Sequence, residues 1–175
     1  MQAISIAKRG VLGGVMLCGG LLLGSCGEST GTGSSGFHSK YAVARNALES
    51  GDYARAKRSY QRLIATAGPL VPRLQLEYAH AELRAGSYAE AARIAGDLAK
   101  SQSGEARAAA LAVQGTAQHE QALALLAKGE VAPAKALLTQ ARAALSEVLK
   151  SATDMDPLGS MAGRRAQIEA SLQKL

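Results

Sequence analysis

The sequence predicts an all-α fold of about three helical hairpins followed by a C-terminal capping helix. Three observations lead there. Aromatic residues make up 3% of the chain, with no Trp and one Phe, too few for a sandwich or barrel, which draws on aromatic and β-branched residues. From residue 38 onward apolar residues return at helical spacing, and alanine takes over after Tyr88, the last aromatic. Gly51, Gly86 and Gly129 then punctuate that stretch, each between two helical segments. At 175 residues there is room for one domain or two small ones. Two cysteines are too few for a disulfide framework or a four-ligand zinc site.

The first element is not part of that array. Ten of the nineteen glycines and both cysteines fall in the first 36 residues. Met1 to Gly10 carries Lys8 and Arg9 and no acid, and Val11 to Ser25 carries no charge. That apolar run of 15 residues is shorter than the roughly 20 a spanning helix needs. A charged start, a short apolar run and a small-residue exit are the marks of a secretory signal, here residues 1–25. The exit is Leu23-Gly24-Ser25-Cys26, which resembles the lipobox of bacterial lipoproteins. The resemblance implies that Cys26 is acylated and becomes the first residue of the mature protein. Gly27 in place of Asp implies sorting to the outer membrane, on its periplasmic face. The competing reading of the same residues is an uncleaved apolar helix with Cys26 as a small buried residue.

Export changes the arithmetic. Cys18 leaves with the signal, so disulfides and thiol chemistry drop out of the mature chain. The formal charge of +6 becomes +4 from Cys26 onward, where 18 Lys and Arg face 14 acids. Residues 26–37 then read as the lipidated cysteine and a Gly/Ser tether, since Gly27 to Gly36 holds no apolar side chain. Such chains are flexible coil with a reach of about 15–20 Å at this length.

Residues 38–152 carry three copies of one helix-turn-helix signal. In each, a glycine suited to the left-handed conformation ends the first helix. Asp52 and Ser87 are good N-caps for the second, and Ser87 with Glu90 fits a capping box. Tyr53, Tyr88 and Val131 are expected to pack back over the turns. Ala56, Ala91 and Ala134 are small where helices must approach, and Tyr60, Ala95 and Leu138 follow four residues later on the same face. The glycines are 35 and then 43 residues apart, so the third unit is expected to have a longer first helix, roughly Gly104 to Lys128. Residues 153–175 form the last element, with Asp156 and Pro157 starting a helix whose Ile168 and Leu172 give an apolar edge. It is the natural cover for the open end of a repeat array.

The pattern Ala44, Gly51, Asp52, Tyr53, Ala56, Tyr60 resembles the tetratricopeptide repeat, a helical hairpin of about 34 residues. Ala79, Gly86, Tyr88 and Ala91 match in the second unit, and Ala122, Gly129, Ala134 and Ala141 in a degenerate third. The resemblance covers roughly residues 38–150 and implies an α-solenoid. In that family the first helix of each repeat lines a peptide-binding groove. The corresponding positions are Tyr41 and Arg45, then Arg73, Leu76, His80 and Arg84, then His119 and Leu123. This basic set with apolar spots suits an extended or helical peptide with acidic groups; the alternative is an ordinary solvated face. Arg55, Lys57, Arg58 and Arg62 form a second basic cluster, a surface for anionic lipid or peptidoglycan or a plain solvated face.

Chemistry finds no constellation. His119-Glu120 fails the zincin pattern because position 123 is Leu, and His80 and Glu82 face different sides of a helix. No nucleophile elbow, Walker loop or dinucleotide fingerprint is present. The expectation is therefore a protein that is not an enzyme, with no metal and no cofactor beyond the lipid on Cys26. Its partners would be proteins in the groove and the membrane through the anchor, with no nucleic acid and no small-molecule substrate. Similar tetratricopeptide lipoproteins serve as scaffolds in pilus, secretion-channel or β-barrel assembly; others dock cell-wall hydrolases as regulatory adaptors.

Overall fold

The computed structural model describes residues 32–175. The signal, Cys26 and the start of the tether lie outside the described residues. Seven helices follow in order: α1 (Thr32–Glu49), α2 (Tyr53–Ile64), α3 (Val71–Arg84), α4 (Tyr88–Ser101), α5 (Gly104–Leu126), α6 (Val131–Ser151) and α7 (Ser160–Lys174). Each packs on its neighbour in sequence, and α3 also meets α5. No strand occurs among the described residues, so the all-α class holds.

Three of the connections are one turn used three times. Gly51, Gly86 and Gly129 have φ of 81°, 78° and 78°, a region that costs glycine little and other residues more. The residue after each glycine again repeats, with φ/ψ of −78/69° at Asp52, −81/58° at Ser87 and −82/71° at Glu130. At two of the turns the ending helix closes in the Schellman manner, Ser87 N–H to Glu82 C=O and Glu130 N–H to Leu125 C=O, at 2.9 and 3.0 Å. In all three the small residue donates the first bond of the next helix: Ala56 to Asp52, Ala91 to Ser87, Ala134 to Glu130. The positions singled out by spacing are fully buried: Ala44, Ala56 and Tyr60, then Ala79, Ala91 and Ala95, then Ala122, Ala134 and Leu138. A methyl group lets two backbones approach where a larger side chain would hold them apart.

Several local expectations change. The tether was expected to reach residue 37, but α1 already begins at Thr32. Phe37 stacks on Tyr41 with ring centroids 6.3 Å apart and both pack on the first core. Once that turn is fixed, adding helical residues toward the N-terminus gains one hydrogen bond for each residue ordered. The capping box does not form: Ser87 makes no side-chain cap bond, and Glu90 binds Arg93 at 2.6 Å instead. Asp52 does cap, accepting from Arg55 N–H at 3.1 Å. Val131 does not fold back over its turn but stays exposed. In the third unit both helices lengthen, α5 to 23 and α6 to 21 residues.

The last helix starts later than Pro157. Asp156 still caps it, accepting from Met161 N–H and Ala162 N–H at 2.9 Å each, but Gly159 turns through φ 69° and the helix begins at Ser160. These backbone donors hold the Asp156 carboxyl below its ordinary pKa. Ile168 is fully buried with Leu138 and Leu145, and Leu172 packs beside them. So α7 packs against the α5–α6 pair.

Candidate interaction face

The stripe Arg73, Glu77, His80, Arg84 runs along α3 at i, i+4, i+7 and i+11, next to Tyr41 and Arg45 one turn apart on α1. The structure brings Tyr41, Arg45 and Arg73 together around a carboxylate that spacing alone passed over. Glu77 accepts from Tyr41 Oη at 2.8 Å through Oε1 and from Tyr60 Oη at 2.8 Å through Oε2. Arg73 Nε lies 3.5 Å from Oε1 and Arg45 lies 3.9 Å from Oε2. Burial comes first, and the neighbouring Glu77 second, in raising the Tyr41 and Tyr60 hydroxyl pKa values. Both phenols therefore stay protonated and donate.

This hub alters the electrostatics of the face. Arg45 is also held by Glu49 at 2.8 Å, so of the expected cations Arg45 is answered from within, while Arg73 meets Glu77 only at 3.5 Å and stays exposed. The i, i+4 relation of Arg73 and Glu77 was the available sequence signal. Beyond it, His80 keeps an exposed edge. Desolvation depresses its pKa, Glu77 opposes, and Arg45 and Arg84 depress it further. Arg84 lies over the Tyr53 ring at 5.6 Å from its centroid, a cation–π contact that leaves the guanidinium edge open to hydrogen bonding.

Arg73 stands between two recesses. One, of about 210 Å³, is lined by Phe37, Tyr41, Leu70 and Leu74; the other, of about 380 Å³, by Pro69, Leu76, Leu98 and Ala106. Leu76 is partly buried and packs on two cores, one made by α3, α4 and α5 and the other by α4, α5 and α6.

His119, on α5, does not join this set. His119 is 3% exposed, with Nδ1 3.0 Å from an Arg164 guanidinium nitrogen on α7. Arg164 also donates to Glu120 at 2.6 Å. His119 is therefore buried and not on an open face, a correction to its expected place. Leu123 is 42% exposed. Desolvation first, then Arg164, lowers the His119 pKa, with Glu120 opposing.

Of the second basic cluster, Lys57 is committed to the interior. Its Nζ lies 2.9 Å from Glu82 Oε2, a carboxylate on a residue only 4% exposed. Burial alone would raise the Glu82 pKa; bonds from Lys57, Tyr78 and Ser87 together pull it below the ordinary value. No family model matches the chain, and neither curated proteins nor solved structures give a match.

Proposed function

We propose that this protein is a lipid-anchored interaction scaffold of the tetratricopeptide type, tethered through Cys26 to the periplasmic face of the outer membrane. The observation that carries the reading is the threefold recurrence of one turn with buried small residues at equivalent places. Such hairpins stacked in series expose the first helices side by side, a surface suited to binding peptide segments. The α1–α3 face around Glu77 is the best candidate on this chain. It combines an open imidazole and guanidinium with two apolar recesses flanking Arg73. A partner carboxylate would bind Arg84, or share Arg73, which Glu77 holds only loosely. The scaffold would serve assembly of an envelope, pilus or secretion complex.

Two experiments test this. Metabolic lipid labelling should mark the wild type and be lost in Cys26→Ser; persistent labelling refutes the anchor. Recovery of partners from solubilised membranes should fall after Arg73→Glu with Arg84→Glu, and unchanged recovery sinks the assigned face. Recovery of secretin or barrel components supports an assembly role, whereas recovery of peptidoglycan hydrolases replaces it with a docking role.

A further inference from the structure

The positive charge of the helical array is concentrated at one end. Residues 32–66, covering α1 and α2, hold six Lys or Arg against two acids. Residues 67–175 hold twelve against eleven. Two of the six are neutralised, Arg45 by Glu49 and Glu77 and Lys57 by Glu82. Lys40, Arg55, Arg58 and Arg62 are exposed and have no ion-pair partner among the described residues.

These four lie on one surface. Lys40 of α1 and Arg62 of α2 line a shallow groove of about 270 Å³ with Val43 and Ser59. Val43 continues into a second groove of about 280 Å³ lined by Arg55, Asn46 and Asp52. Arg58 falls between Arg55 and Arg62 on the same side of α2, at i+3 and i−4. Val43, 41% exposed, is an apolar spot among the cations. This surface is separate from the Glu77 face, which α1 shares with α3.

We infer that the outer surface of α1 and α2, centred on Lys40, Arg55, Arg58 and Arg62, rests on anionic phospholipid headgroups of the membrane that holds the acyl anchor. The nearness of this surface to the membrane rests on the anchor reading; its charge does not. From Cys26 to Thr32 the backbone spans at most about 22 Å, and Lys40 lies about 12 Å further along α1. The basic end of the array is therefore the end delivered to the membrane. Each Lys or Arg near an anionic surface gains about 1 kcal/mol. Four are weak on a free protein, but the anchor makes their contact intramolecular and raises the effective concentration. Lying against the lipid in this way sets the orientation of the array and leaves the α1–α3 face open to partners.

The test is lysine footprinting of the full chain, purified from membranes and reconstituted in vesicles. An amine acylating reagent is applied and modification is read residue by residue by mass spectrometry, with exposed Lys135 of α6 as internal control. In phosphatidylcholine containing phosphatidylglycerol, Lys40 should react about fivefold more slowly than in phosphatidylcholine alone. Lys135 should be unchanged. At 1 M salt, where the Debye length shrinks to about 3 Å, the protection should vanish, as it should in the R55E, R58E, R62E variant. Equal Lys40 reactivity in the two vesicles overturns the inference. So does protection by soluble polyglutamate without protection by the anionic vesicle, which assigns the surface to an acidic protein segment. The mass of the Cys26 peptide in the same digest reports acylation independently, so loss of the anchor reading and loss of this one are read separately.

Discussion

Gly115 and Gly163 sit inside helices and should respond in opposite ways to the same added methyl. In an exposed helix interior, Gly→Ala gains about 0.8–1 kcal/mol of propensity. At Gly163 of α7 a Cβ meets nothing within 4 Å, so Gly163→Ala should gain that amount. At Gly115 of α5 the Cβ would stand 2.9 Å from Leu145 Cγ, 3.1 Å from its Cδ2 and 3.2 Å from the Ala141 carbonyl oxygen. Leu145 is itself fully buried and the carbonyl belongs to the α6 backbone, so neither yields cheaply. Overpacking of this kind costs about 1–3 kcal/mol, which outweighs the propensity gain. We expect Gly115→Ala to lose about 1 kcal/mol and to lie about 2 kcal/mol below Gly163→Ala. At about 3 °C per kcal/mol for a chain of this size, the two midpoints should differ by about 6 °C in thermal unfolding followed by far-UV circular dichroism. Equal stabilisation by both substitutions would falsify the close approach of α5 and α6 at Gly115.

Other consequences are as concrete. Tyr60→Phe removes a buried donor from Glu77 and should cost about 1 kcal/mol in urea unfolding; combining it with Tyr41→Phe should be non-additive, because both hydroxyls serve one carboxylate. His119 has its pKa depressed below the ordinary 6.5 in the folded chain. Its contribution is therefore complete above that value and lost as pH falls below it toward the folded pKa. Stability should decline on acidification through this window, and His119→Gln should remove part of the slope, leaving the part due to His80, which is shifted the same way. Arg164→Ala breaks the link from α7 to His119 and Glu120. Hydrogen exchange should then quicken in residues 160–174 while α3 is unaffected; no change in α7 rules out Arg164 as its fastening.

What the sequence made legible was whatever depended on backbone geometry. A glycine followed by a polar residue, with a small residue four positions after that polar one, specifies one turn, and the three copies took nearly identical dihedrals. The buried alanines followed because their spacing alone puts them between helices. Long side chains were harder. Glu77 was passed over because its partners come from three helices, and only the fold brings Tyr41 and Tyr60 to it. His119 was misplaced because the packing around α5 buries it, and the guanidinium it meets there comes from α7, forty-five residues later. Ser87 lost its capping box because Arg93, on the next turn, competes for Glu90. The start of α1 depended on Phe37 finding a core, which no Gly/Ser composition announces.

We propose that the face shared by α1 and α3 holds a protein partner. A photo-crosslinking residue placed at His80 in the full chain, in cells, tests it most directly, with exposed Arg142 on α6 as the comparison site. A discrete adduct is expected from position 80 that disappears when Arg73 and Arg84 are reversed in charge, and none of that mass from position 142. No adduct at position 80, or the same adduct from both positions, contradicts it.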